Sequence, residues 1–192
     1  MYIYVHWSLV FHGPPALPGQ AVTSKQCREL AQVIGEIGAQ PGDIVVLPYN
    51  RYVSDAIDLR IENGFIVSIE GGMDARLMRH WLETNKKGDD DRDGYAVSHI
   101  GWGTNPHCRW DCIALNGDDP DRSNGAVRGF AGNFLFSTGP NTQGGGNRMT
   151  TGHYDVPMKD CSVWLDDEQI IDHGEFLDPK MKAPMDERSL AH

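Results

Sequence analysis

No stretch of this chain is both long and apolar enough to cross a bilayer. The apolar start, residues 1–11, is short, carries His6 and has no basic lead, so it is neither a signal peptide nor a membrane span and reads as a strand. Basic clusters are also missing. Against 27 Asp and Glu stand 17 Lys and Arg, a formal net charge of -10, and none gather into the face that a nucleic-acid groove needs. Both a membrane and a nucleic acid are therefore excluded as partners. The four cysteines, Cys27, Cys108, Cys112 and Cys161, form no framework of close pairs. His107-Cys108 with Cys112 has part of a zinc spacing but lacks a fourth ligand, and reduced thiols of a cytoplasmic protein are the simpler reading. The loop at residues 138–147 holds four glycines, yet its spacing and its lack of lysine match neither a phosphate loop nor a dinucleotide fingerprint. It is either a flexible connection or the edge of a site. No internal repeat and no clean linker divide the chain.

What is present is a succession of short strands. With 40% hydrophobic and 23% charged residues, 192 positions suffice for one domain with a real core. Residues 24–38 are ambiguous. Leu30, Val33, Ile34 and Ile37 have helical spacing behind Ser24 as a cap, but the segment could turn to strand near Val33. Pro41-Gly42-Asp43 makes a turn before the buried strand at residues 44–47. Residues 56–61 and 65–69 flank Asn63-Gly64, the pattern of a tight hairpin. Residues 73–84 have helical composition, with Leu77, Met78 and Trp81 on one side. A strand follows at residues 95–100, and Gly101 and Gly103 allow close approach at its end. Residues 102–111 are a polar-aromatic mix suited to a site wall, and residues 116–125 read as a loop. Residues 132–137 are a strand, and residues 161–165 and 169–172 form a second hairpin around Asp166-Asp167. The expectation is an α+β fold with a mainly antiparallel sheet built from hairpins and one or two packed helices. Residues 1–177 are expected to form one domain, and residues 178–192 a charged tail that frays.

The chemistry concentrates around His153-Tyr154-Asp155. In an extended segment, side chains two apart share a face, so an imidazole and a carboxylate converge. A second imidazole from another strand would complete two histidines and one carboxylate, a set that holds Fe(2+) with positions left open. His99, in an apolar and Gly-rich run, is the candidate third ligand. Taken alone, His99 reads as a hydrogen-bonded core histidine, and His153 with Asp155 as a surface ion pair. Tyr154 points to the opposite face and reads as core.

Three runs in order, Ser98-His-Ile-Gly-Trp-Gly103, Phe136-Ser-Thr-Gly-Pro-Asn141 and His153-Tyr-Asp-Val-Pro-Met158 with the following Cys161-Ser-Val-Trp-Leu-Asp166, resemble the 2,5-dihydroxypyridine 5,6-dioxygenases. Leu59 to Val67 resembles a strand pair shared with the thermophilic-type leucyl aminopeptidases, to which that family is related in fold. The resemblance covers roughly residues 40–175. It implies an aminopeptidase-like C-terminal catalytic domain, with the family's N-terminal domain absent. It also implies ring opening of a small hydroxylated aromatic by O2 at an Fe(2+) held by His99, His153 and Asp155. On that reading Arg109 would neutralise a substrate oxygen, and Ser137 or Thr138 would hydrogen-bond the ring nitrogen. Arg109 alone reads as half of an ion pair with Asp111. An aminopeptidase-like hydrolase, the alternative, would need a second metal and more carboxylates, and an inactive truncated member is the other. A homo-oligomer is compatible with all of these.

Overall fold

The structure, a computed structural model, describes residues 2–5, 34–117, 119–144, 146–165 and 168–181. Its largest element is a seven-stranded sheet ordered β12-β11-β10-β1-β2-β5-β6. These strands are β1 (Tyr2–Val5), β2 (Ile34–Ala39), β5 (Ile57–Glu62), β6 (Phe65–Gly71), β10 (Ser162–Leu165), β11 (Glu168–Asp172) and β12 (Glu175–Phe176). Only β1 and β10 pair in parallel, and every other neighbour is antiparallel. A three-stranded antiparallel sheet holds β7 (Val97–Trp102), β8 (Phe134–Thr138) and β9 (Tyr154–Met158), with β8 in the middle. β3 (Ile44–Val45) and β4 (Arg51–Tyr52) form a small ribbon. The helices are α1 (Met73–Thr84), α2 (Cys112–Asn116) and α3 (Pro120–Gly129). The α+β, mainly antiparallel expectation holds. No helix among the described residues is long and apolar enough to cross a membrane.

Alternation places the core. On β5, Ile57, Leu59 and Ile61 are buried while Asp58, Arg60 and Glu62 face water, the period of two that a one-sided sheet requires. The Asn63-Gly64 turn joins β5 to β6, and both turn residues have positive φ (51° and 78°), as the hairpin reading requires. Helix α1 closes over these strands with Ala75, Met78 and Leu82, all at most 1% exposed. The expected face of Leu77, Met78 and Trp81 is thus rotated, since Leu77 and Trp81 are only half-buried. Phe134, Phe136, Tyr154, Val156 and Met158 of the smaller sheet join the same apolar cluster. Fully burying side chains of this size stabilises by about 1.5–3 kcal/mol each.

Other readings are settled or corrected in detail. Residues 34–39, the end of the ambiguous segment, are strand, and residues 24–33 lie outside the described set. Residues 116–125 are not all loop. Helix α3 begins at Pro120, a residue pre-set for a first helical position, and packs through Val127 and Ser123, both 0% exposed. At Gly103 the expected close approach is real, for a Cβ there would lie 1.9 Å from the Phe130 carbonyl oxygen, whereas Gly101 faces open space. The tail expected from Asp178 contains a 3-10 turn, Pro179–Met181, and residues 182–192 lie outside the described set.

Candidate metal centre

The site lies on one rung of the three-stranded sheet. His99 of β7 is opposite Ser137 of β8, and Ser137 is opposite Asp155 of β9. Directly opposed residues share a face, so three polar side chains project together from strands whose other face is core. A bulge makes this row. Val97 pairs with Thr138 and His99 with Ser137, so Ser98 is an extra residue in β7. A regular ladder would put Ser98 opposite Ser137 and turn His99 inward, toward the side taken by Phe136 and Tyr154. The inserted residue re-aims the imidazole. Ser98 is held in this position by donating its hydroxyl to the Pro140 carbonyl.

Asp155 is fixed along its backbone on the side away from β8. Its N–H donates to the Leu47 carbonyl at 3.2 Å, and its carbonyl accepts from the Val46 N–H at 3.0 Å. His153 stands just before β9, and the Trp81 indole N–H of α1 donates to its carbonyl at 3.1 Å. Helix α1 thereby sets the height of the second imidazole above the sheet.

The three side chains meet. One ligand atom from each of His99, His153 and Asp155 lies within 4.8 Å of the others, the only such group of three among the described residues. His153 Nε2 is 2.9 Å and His99 Nε2 3.9 Å from Asp155 Oδ1. Ligand atoms about 2.1 Å from a metal and at right angles to one another stand about 3 Å apart, so the first pair already has that spacing. The third atom belongs to the His99 ring, which at 46% exposed is the least enclosed of the three side chains. Burial would push the Asp155 carboxyl up, but hydrogen bonding and charge from His153, the Ser137 hydroxyl and the Arg128 guanidinium outweigh it and hold the group below its usual range. For His99, burial is the largest influence and lowers its proton affinity. Asp155 opposes this and loses, so the ring is biased to the neutral form that binds metal. A carboxylate and two imidazoles, with one imidazole at the surface, form a donor set that fits a divalent transition metal.

A family profile described as 2,5-dihydroxypyridine 5,6-dioxygenase matches residues 18–178. The chain belongs to this family. A curated 2,5-dihydroxypyridine 5,6-dioxygenase from Pseudomonas putida is 40% identical over 149 residues, covering 76% of this chain and 40% of that protein. The solved structure of the 2,5-dihydroxypyridine dioxygenase from Pseudomonas putida matches with a TM-score of 0.68 and 38% identity, over 79% of this chain and 42% of that one. The chain thus spans about two fifths of the length of these relatives.

Within this family member, the other expected site residues fare differently. Ser137 is 0% exposed and donates its hydroxyl to Asp155 Oδ1, with His153 Nε2 at 3.1 Å. It therefore acts on the candidate ligands. Thr138, also 0% exposed, donates to the Gly152 carbonyl at 3.5 Å. Arg109 is forked onto Asp111 at 2.8 and 2.6 Å, and among the described contacts it touches none of the three candidate ligands. Trp110 packs, donating to the Gly42 carbonyl at 2.9 Å and lying 5.2 Å from the Tyr52 ring. His107, Cys108 and Cys112 form no group of metal-binding atoms among the described residues. Cys108, Cys112 and Cys161 are free thiols. The glycine-rich loop is tied down by Arg148, which donates to the Gly139 and Val97 carbonyls at 2.6 and 2.7 Å. Sequence reasoning misses Arg128, because residues 116–125, which include the first part of its helix, read as loop. Pro120, followed by Ala126 and Val127, was the signal that could have revealed it.

Proposed function

We propose that the chain carries the iron site of a ring-cleaving dioxygenase acting on 2,5-dihydroxypyridine or a similar hydroxylated aromatic. The observation that carries this reading is the His99, Ser137, Asp155 rung with His153 beside it, in a member of this family. His99, His153 and Asp155 would hold Fe(2+). Bound iron supplies the electronic link between an electron-rich ring and O2, whose direct reaction is otherwise slow. The protein's part is placement and charge. Asp155 brings one negative charge to the centre, and the core behind β8 keeps water from that side. Ser137 holds Asp155 Oδ1 in place. The exposed edge of His99 marks the side from which a flat substrate and O2 enter. Both oxygen atoms end on the two ring carbons whose bond is broken, as the family's 5,6 cleavage describes. Free thiols suit a cytoplasmic setting. A two-metal hydrolase has less support, since Asp155 is the lone carboxylate in the described group.

Anaerobic reconstitution tests this. We expect one Fe(2+) retained per chain, and oxygen uptake on adding 2,5-dihydroxypyridine. Metal retention that survives His153→Ala overturns the ligand set. Full iron loading without oxygen uptake overturns the activity of this chain.

A further inference from the structure

The two oxygens of Asp155 have different neighbours. Oδ1 accepts from Ser137 and faces both imidazoles, at 2.9 and 3.9 Å. Oδ2 accepts twice from one guanidinium, Arg128 Nε at 3.0 Å and Nη2 at 2.6 Å. Arg128 comes from a separate element, the last turn of α3. Its carbonyl is held in turn by the Asn133 amide, which donates at 2.6 Å just ahead of β8. The carboxylate is 2% exposed and the Arg128 side chain 26%, so the pair is shielded on the carboxylate side. A guanidinium keeps its charge throughout the working pH range and offers a rigid fork. Oδ2 is therefore engaged before any metal arrives.

We infer that Arg128 is a positioning residue that makes Asp155 a one-oxygen ligand. Carboxylates bind cations through one oxygen or through both. With Oδ2 engaged by Arg128, only Oδ1 is available to the centre. The position that a second oxygen would take stays free for an incoming molecule. The inference rests on the metal-centre reading above, and it adds a residue that the ligand set does not contain.

The test uses the whole chain, loaded anaerobically with Co(2+) as a spectroscopic probe. The dissociation constant is read by chelator competition, coordination by the visible Co(2+) spectrum, and folding by apo-protein melting. We expect Arg128→Met to weaken Co(2+) binding by about 10- to 100-fold, the usual effect of losing a partner behind a ligand. Its spectrum should also change, because the released carboxylate can swing both oxygens onto the ion. Arg128→Lys, which keeps the charge and one donor, should recover part of the affinity. Arg51→Met removes a different arginine from a buried carboxylate, Asp74 of α1, and should lower melting without altering either metal readout. If Arg128→Met proves unfolded, Arg128→Gln and Arg128→Lys carry the comparison. An Arg128 variant that is folded and matches wild type in both affinity and spectrum overturns the inference and leaves the metal centre standing. A wild-type chain that binds no Co(2+) overturns the centre itself, and the role of Arg128 with it.

Discussion

Among the described residues, two buried carboxylates each face an arginine, yet only one sits in the candidate metal centre. Asp74, in the first turn of α1, is 0% exposed and takes Arg51 on Oδ1. Its Oδ2 accepts from the Ser54 and Asp55 backbone N–H groups at 2.7 and 2.9 Å. Oδ2 is used by backbone donors that cannot leave and Oδ1 by a guanidinium, so the group ties the β4–β5 connection to the helix and has nothing to offer a ligand. Asp155 is 1% exposed and has an arginine on one oxygen, with a serine hydroxyl and two imidazoles around the other. Backbone amides are permanent partners, whereas imidazoles can turn to a metal. Burial and an ion pair do not distinguish structure from site, but the identity of the remaining donors does.

The sharpest way to break the comparison is to remove each carboxylate. Asp74→Ala should destabilise the fold by about 3–5 kcal/mol, because it leaves a charge and two amides without their acceptor. Urea unfolding measures this, and metal affinity in the fraction that folds should be unchanged. Asp155→Asn should reduce metal affinity by at least about 100-fold, while the apo-protein still melts cooperatively. Chelator competition and calorimetry on one sample separate the two readouts.

Asp43 sharpens the contrast as a buried carboxylate without an arginine. It is 3% exposed and accepts from the Gln40 and Lys159 N–H groups at 2.7 and 2.9 Å. Burial outweighs these bonds and the nearby Lys159 charge, and pushes its pKa up to about 6. The folded value lies above the unfolded one, so its stabilising contribution is complete below about pH 4 and is lost as pH rises through 6. Relative to Asp43→Asn, the wild type should lose roughly 2–3 kcal/mol between pH 4 and 7.5, measured as paired urea titrations. A flat difference would mean that the two amides and Lys159 compensate burial fully. The smallest effect should come from Asp55, whose carboxylate accepts from the Met73 N–H at 3.0 Å at the start of α1. Asp55→Ala should lower stability by about 1 kcal/mol, the usual worth of such a cap, with no change in metal binding.

The sequence revealed part of this and hid the rest for physical reasons. Hairpin β5–β6 was legible because Asn63-Gly64 is a local signal with a backbone cause. His153 and Asp155 were legible as a pair because alternation in a strand is strict. The bulge at Ser98 was not, since an extra residue leaves no mark in composition, and it decides where His99 points. Helix α3 was hidden by Asp, Asn and Gly, residues that favour loops until Val127 and Ser123 find a core to enter. Arg128 went unseen with it. The sharing of Asp155 between an arginine and two histidines is a long-range fact that no local pattern encodes.

The extra residue in β7 also bears on how such a site could be lost. Substituting Ser98 would leave the strand's length intact and the ring at position 99 still aimed outward. Drawing Ser98 into the ladder opposite Ser137 would restore an even alternation and send that ring toward Phe136, although every candidate ligand would remain in the gene. Among relatives, then, the register between β7 and β8 would be a better guide to an intact centre than the presence of the histidine itself.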